Sequence, residues 1–420
     1  MRVIIISYYF PPFMNVGGFR ALSWARHFLD EGHDVVVIHG DGMEIDACCY
    51  FPEKAGREFR SVQVHNPFLP SVPATVAAVP RPPTRGRAIA ALKDRVKGFI
   101  PILDAYGKWA RAAVKTAEAE AARMGGVDLI VSTSFPLSAH AVARRLKSKT
   151  GAFWVADFRD FYGQFDSTVL KGLRPRTRKI QRFVRSVGAE ADLVTTVSEK
   201  LAGIISRSVQ ARRTEVIYNG YFEEHLPVLD GRETERRILY TGSYNASEFT
   251  LKPLVEALLL LRSEGFELPL LSFAGGFIAP VEEILSDAGL PHEFLPPMPN
   301  REILRLQRDS SMLLLCDAMS GPGALLTKTF EYLAVRRPIL VIARPESDLA
   351  HSVFAAPAPG YLVSLDPKEI AAFIREKFVK GSGAHSDYYD AEIIRGYSRE
   401  RQAERLLSLV EEMRGSNAPD

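Results

Sequence analysis

Short apolar runs and longer amphipathic stretches alternate along this chain. Residues 3–7 form a continuous apolar run, as expected of a strand buried on both faces. A loop over 8–18 leads into a helix over about 19–31, which Gly32 stops, and 35–39 is the next strand. A β–loop–α–β unit of this kind crosses over right-handed, and its ligand crevice lies at the C-terminal ends of the strands. Further strands are predicted at 62–65, 128–132, 153–156, 193–197 and 215–218, with helices over 136–148 and from Ser198. About seven strands alternating with helices predict a doubly wound parallel sheet. Residues 219–236 are polar, carry Gly220, Pro227 and Gly231, and read as a linker. A second alternation follows, with strands at 238–241, 268–273, 292–295, 311–316, 339–342 and 361–364. Helices are predicted around 254–263, 281–287, 301–308, 325–335 and 368–379, and a long amphipathic helix covers 391–413. The fold class is therefore α/β, two Rossmann-like doubly wound parallel-sheet domains over 1–218 and 237–385, joined by 219–236 and followed by a C-terminal helix in 386–420.

The 420 residues exceed what one core usually supports, which agrees with two domains. A hydrophobic content of 46%, a charged content of 25% and a net charge of +3 are those of a soluble globular protein and give no argument for nucleic acid. Cys48, Cys49 and Cys316 have no metal-ligand spacing, and an odd, sparse set fits a reducing cytosol. No apolar run approaches the roughly 20 residues that span a bilayer. Two basic stretches stand out locally. Residues 85–97 carry Arg85, Arg87, Lys93, Arg95 and Lys97 on an amphipathic helix pattern. Residues 171–185 carry Lys171, Arg174, Arg176, Arg178, Lys179, Arg182 and Arg185 with no acidic residue among them. Each is either a solvated helix face or a surface for anionic lipid headgroups.

The chemistry concentrates in residues 320–342, a Gly/Pro-broken loop followed by a helix that Pro338 closes and then a buried strand. Amides at a helix start, reinforced by the dipole, attract anions, and Gly321 and Gly323 let a phosphate reach the backbone. Lys328 and Glu331, three apart, share one helix face. A cation near a diphosphate and a carboxylate one turn deeper suit a nucleotide; an ordinary loop–helix–strand unit fits the same residues. Gly17 and Gly18 sit in the first strand–helix loop, either facing a ligand or forming a tight turn. Asp157 and Asp160 flank Arg159 just past a predicted strand end, where they would orient acceptor hydroxyls or merely hold the loop.

Lys328-Thr329-Phe330-Glu331-Tyr332-Leu333-Ala334, followed by Arg337-Pro338-Ile339-Leu340, resembles the donor-binding helix of GT-B glycosyltransferases in the family 4 group. Tyr9-Phe10-Pro11-Pro12, Gly17-Gly18-Phe19-Arg20 and Gly32-His33-Asp34-Val35 carry the N-terminal half of that resemblance. Between the halves lie Asp157-Phe158-Arg159-Asp160, Thr196-Val197-Ser198-Glu199, Val216-Ile217-Tyr218-Asn219-Gly220 and Tyr240-Thr241-Gly242-Ser243. The resemblance implies two domains facing a cleft, with the terminal helix crossing back onto the first. It implies a retaining transfer of a sugar from a UDP- or GDP-sugar to a glycan or lipid-linked acceptor, in polysaccharide or cell-envelope glycan synthesis. No metal or other cofactor is expected, and the location is cytoplasmic or peripheral at the inner face of a membrane.

Under the same resemblance, Glu331 takes the ribose hydroxyls and the amides of Gly323, Ala324 and Leu325 hold the phosphates. Gly242 and Ser243 form a second glycine loop, Lys252 supplies the phosphate cation with Lys328 as the competing candidate, and Gly17 and Gly18 close on the donor. Two departures stand out. Relatives often carry a Glu eight residues before the ribose Glu, where this chain has Gly323. Relatives also often place a His after the strand at 128–132, where this chain has Ser132, Thr133 and Ser134; His140, in the next helix, reads as structural. A nucleotide-sugar 2-epimerase of the same fold and a non-catalytic partner subunit remain as other readings. A dehydrogenase does not, because the first loop lacks G-x-G-x-x-G spacing.

Overall fold

The computed structural model describes residues 1–11, 17–41, 59–66, 104, 106–160, 174–229, 235–242, 248–276, 279–316, 325–344, 347–351, 353–354, 358–379 and 389–416. The chain forms two compact units, Met1–Ile217 with Ala403–Asp420, and Tyr218–Gln402.

Unit 1 runs β1 (Arg2–Ser7), α1 (Gly18–Asp30), β2 (Asp34–Gly40), β3 (Arg60–Val64), α2 (Gly107–Arg123) and β4 (Leu129–Ser134). It continues with α3 (Ser138–Thr150), β5 (Phe153–Phe158), α4 (Arg174–Glu190), β6 (Leu193–Thr196), α5 (Glu199–Val209) and β7 (Thr214–Val216). The seven strands are ordered β3-β2-β1-β4-β5-β6-β7, and every pairing is parallel. The pleat sends alternate residues to opposite faces. Ile4, Ile6, Val36 and Ile38 join Trp109 and Trp154 in one core. Val3, Ile5, Val35 and Val37 join Trp24 and Phe28 of α1 in the other. That second core is completed by Ala403, Leu406, Leu407 and Val410, one stripe of the terminal helix at i, i+3, i+4 and i+7.

Unit 2 runs β8 (Glu235–Thr241), α6 (Glu248–Ser263), β9 (Leu270–Ala274), α7 (Ala279–Asp287), β10 (His292–Leu295), α8 (Asn300–Asp309) and β11 (Ser310–Cys316). Then come α9 (Thr327–Ala334), β12 (Ile339–Ile342), α10 (Asp348–His351), β13 (Tyr361–Val363), α11 (Pro367–Val379), α12 (Ala391–Gly396) and α13 (Arg399–Gly415), whose later turns belong to unit 1. Its six parallel strands are ordered β10-β9-β8-β11-β12-β13, the order 3-2-1-4-5-6 of a doubly wound fold. The order reverses between β8 and β11, so the ligand crevice of such a sheet lies beyond Thr241 and Cys316.

Four differences from the sequence reading have plain causes. Residues 107–123 carry no assigned element in that reading, yet they form α2. Its buried Trp109, Ala110, Ala113, Ala117 and Ala121 recur at helical spacing on small residues that leave a faint hydrophobic signal. Strand β5 extends through Phe158, which moves Asp157 from beyond the strand into the sheet. Part of the expected linker is folded: Tyr221, Phe222 and His225 are buried around a 3-10 turn at Glu223–His225. The single terminal helix is two, because Ser398 is fully buried and bridged to Tyr221, and its Oγ accepts from the Arg401 amide at 3.3 Å. The chain therefore re-enters unit 1 at Ala403, inside α13, rather than at 386. The basic stretch 85–97 lies outside the described residues.

Asp157 is the polar centre of unit 1. Its register partners on the neighbouring strands are Thr133 and Thr195, and their hydroxyls donate to it at 2.7 and 2.9 Å. Arg20 of α1 adds a two-pronged pair at 3.2 and 2.7 Å and donates its third nitrogen to the Ile217 carbonyl at 2.7 Å. Arg20 and Asp157 are 1% and 0% exposed, so the carboxylate is sealed in with donors on both oxygens. Removing one member of such a pair strands the other's charge. The Asp157→Ala chain is expected to lose about 3–5 kcal/mol in the unfolding of unit 1. Urea unfolding followed by tryptophan fluorescence checks this, and a loss below about 1 kcal/mol contradicts the account.

Candidate functional site

At the crevice of unit 2, β8 ends on Thr241 and the chain turns at Gly242, whose φ of +92° favours glycine. The Gly242 amide donates to the Ala274 carbonyl at 2.7 Å. A Cβ built on Gly275, at the end of β9, would lie 3.0–3.1 Å from the Gly242 backbone. The two glycines therefore pack backbone against backbone. Tyr332 of α9, fully buried, holds the strand end: its phenolic oxygen accepts from the Thr241 amide at 2.9 Å. Gln307 of α8 donates to the Thr241 hydroxyl at 3.2 Å.

Lys328, in the first turn of α9, reaches into this corner. Its Nζ donates to the Thr241 carbonyl, lies 3.9 Å from the centre of the Tyr240 ring, and would lie 3.1 Å from a Cβ at Gly242. Among the described residues no carboxylate forms an ion pair with it. Burial holds its pKa down at about 8, with Cys316 and Glu331 acting in the opposite direction. Leu326 occupies the N-cap position of α9, and its carbonyl accepts from the Thr329 amide at 3.0 Å.

Glu331 lies one turn deeper on the same helix face. Burial raises its pKa, against the opposing pull of Asn300, Arg399, Lys328 and Gln307. Its Oε1 accepts from Asn300 Nδ2 at 3.1 Å, and Asn300 Oδ1 faces His225 Nδ1 at 3.1 Å. Asn300 opens α8 and His225 closes the 3-10 turn. Neither belongs to the sequence-predicted site, because His225 falls in the stretch read as a linker and Asn300 in a proline-rich connection.

In unit 1, Gly17 and Gly18 open α1, and Gly17 takes the N-cap position. The Arg159 guanidinium lies directly against Gly17, where any Cβ would overlap it. Arg159 also donates to Asp160 Oδ2 at 3.1 and 2.9 Å. Of the two carboxylates expected to meet an acceptor, Asp160 is exposed. Asp157 is not available: it is sealed in the sheet, and its oxygens are taken by Arg20, Thr133 and Thr195. The two expected phosphate cations also part. Lys252 projects into solvent from α6, 3.8 Å from Glu256, whereas Lys328 is enclosed beside Gly242. Leu325 is buried, and its carbonyl accepts from Asn219 at 3.3 Å. Ser243, Gly323 and Ala324 lie outside the described residues. His140 is interior: Trp154 donates to Ser132 Oγ at 2.8 Å, and Ser132 meets His140 Nδ1 at 2.8 Å. Burial holds its pKa at about 4, which keeps it neutral.

The fold recurs in solved structures. Sucrose-phosphate synthase from Thermosynechococcus elongatus is 14% identical, with 99% of this chain and 100% of that one covered at a TM-score of 0.63. Anabaena HepE in complex with UDP is 13% identical, with 98% and 100% covered at 0.60. The catalytic domain of starch synthase IV from Arabidopsis thaliana, bound to ADP and acarbose, is 14% identical, with 98% and 99% covered at 0.59. Among curated proteins no sequence matches this chain. Residues 17–220 match the model of the glycosyl transferase 4-like domain. The segment 17–220 is thus similar to the glycosyl transferase 4-like domains, and the chain as a whole has the GT-B fold.

Proposed function

We propose that this protein transfers a sugar, with retention, from a nucleoside diphosphate sugar to a glycan or lipid-linked acceptor in polysaccharide or cell-envelope glycan synthesis. The observation that carries this reading is Lys328: a half-buried ammonium with a lowered pKa beside Gly242, at the point where the sheet order reverses. A nucleoside diphosphate leaves with growing negative charge, and a fixed cation in a low-dielectric site stabilises that charge strongly. In this reading Lys328 meets the diphosphate, Gly242 lets it approach the backbone, and Glu331 accepts hydrogen bonds from the ribose hydroxyls. Ser243, Gly323, Ala324 and Leu325 complete the cradle, with UDP or GDP as the nucleotide. In this reading Lys328 supplies the positive charge that faces the diphosphate, and the leaving phosphate accepts the acceptor's proton. Arg178, Lys179, Arg182 and Arg185 are exposed along α4 and support peripheral contact with anionic headgroups at the inner face of a membrane.

Four outcomes are expected. Calorimetry should show UDP or GDP binding at least about tenfold weaker to Glu331→Ala, a loss of about 1.4 kcal/mol; unchanged affinity removes Glu331 from the site. Incubation with a nucleotide sugar and no acceptor should leave its sugar unepimerised, whereas conversion would identify a 2-epimerase. Lys328 should also couple binding to pH. Its folded pKa is depressed, so its charged form costs stability at neutral pH, and that cost fades as pH rises from about 8 toward the unfolded value. A bound diphosphate favours the charged form, so affinity should fall as pH rises through about 8. Replacing the buried cation by Lys328→Met should raise the melting temperature by a few degrees and abolish the shift that the nucleotide produces. A lower melting temperature together with an intact shift would contradict this role.

A further inference from the structure

The geometry points to Asn300 and His225 as positioning residues that fix the Glu331 carboxylate for ribose. The inference rests on the reading of Glu331 given above and goes beyond it. Asn300 Nδ2 donates to Glu331 Oε1 at 3.1 Å, which leaves Asn300 Oδ1 as the acceptor on its other side. His225 Nδ1, at 3.1 Å, must then carry the hydrogen and donate to Oδ1. His225 is 5% exposed, its ring packs 5.2 Å from that of Phe222, and its Nε2 lies 3.7 Å from Glu224 Oε1. The histidine is therefore fixed by packing on one side and by a carboxylate on the other. It sets the Asn300 amide so that a donor, rather than a carbonyl oxygen, faces Glu331. Reversing that amide would set two acceptor oxygens against each other, a repulsive contact in a buried place.

A carboxylate on a flexible side chain would spend binding energy on being ordered by its ligand, and preorganisation removes that cost. Two features argue for a positioning role over simple packing. The relay joins two elements distant in sequence, the turn at Glu223–His225 and the start of α8, and it ends on the carboxylate. It also bonds Glu331 through a single oxygen, Oε1, on the side where α8 approaches.

The test compares UDP and GDP with their 2′,3′-dideoxy forms on the full chain by calorimetry. The probe variants are Asn300→Asp, which keeps the shape and removes the donor, His225→Ala and His225→Gln. Asn300→Asp should bind the ribonucleotides at least tenfold more weakly while binding the dideoxy forms within twofold of the unaltered protein. His225→Ala should show a smaller loss of the same selective kind, and His225→Gln, whose amide can donate, should recover part of it. Equal losses for ribo and dideoxy nucleotides, or no loss, would overturn the inference and leave the nucleotide site standing. If the unaltered protein bound both forms equally, the ribose role of Glu331 would fall and this relay with it. Melting temperatures within a few degrees of the unaltered protein, measured alongside, keep a folding defect from imitating a selective loss.

Discussion

A lysine ammonium held inside unit 2 by a carbonyl oxygen and an aromatic face is the constraint on which the functional account depends. Water solvates such a charge far better than Thr241 and Tyr240 do, and the depressed pKa of Lys328 records the difference. The surrounding fold keeps the arrangement in place. Tyr332 ties the Thr241 amide, Gln307 ties its hydroxyl, and Gly242 and Gly275 allow the turn to close without side chains in the way. An ammonium destabilised by its surroundings gains most from an anion that joins it.

The two units treat buried charge in opposite ways. In unit 1, Arg20 and Asp157 satisfy each other and draw in Thr133, Thr195 and the Ile217 carbonyl, so nothing is left over for a ligand. That network fixes α1, with its glycine start, against three adjacent strands. In unit 2, Lys328 forms no ion pair among the described residues, and Glu331 is held by an amide rather than by a cation in contact. Complete pairing marks a structural centre. Incomplete pairing at a strand-order reversal is the feature on which the proposed nucleotide site rests.

Much of this was legible in the sequence, for identifiable reasons. Strands buried on both faces announce themselves as apolar runs, and β1, β2 and β12 follow such runs closely. The spacing of Lys328 and Glu331 already placed them on one helix face. Asp157 was harder to read. One carboxylate near a strand end looks the same in sequence whether it faces a crevice or the sheet, and only the cross-strand threonines reveal which. The sequence placed Lys252 ahead of Lys328, but what separates them is burial, which depends on how α6 and α9 pack. His225 and Asn300 gave no signal, because each does its work through a partner remote in the chain.

The most direct measurement is the proton balance of nucleotide binding. Titrating the protein with UDP and GDP near pH 8 by calorimetry, in buffers of differing ionisation heat, counts the protons taken up. If Lys328 meets the diphosphate, binding should take up roughly half a proton near that pH, and the Lys328→Met chain should take up none. Binding without proton uptake, or the same uptake in both chains, would contradict the account.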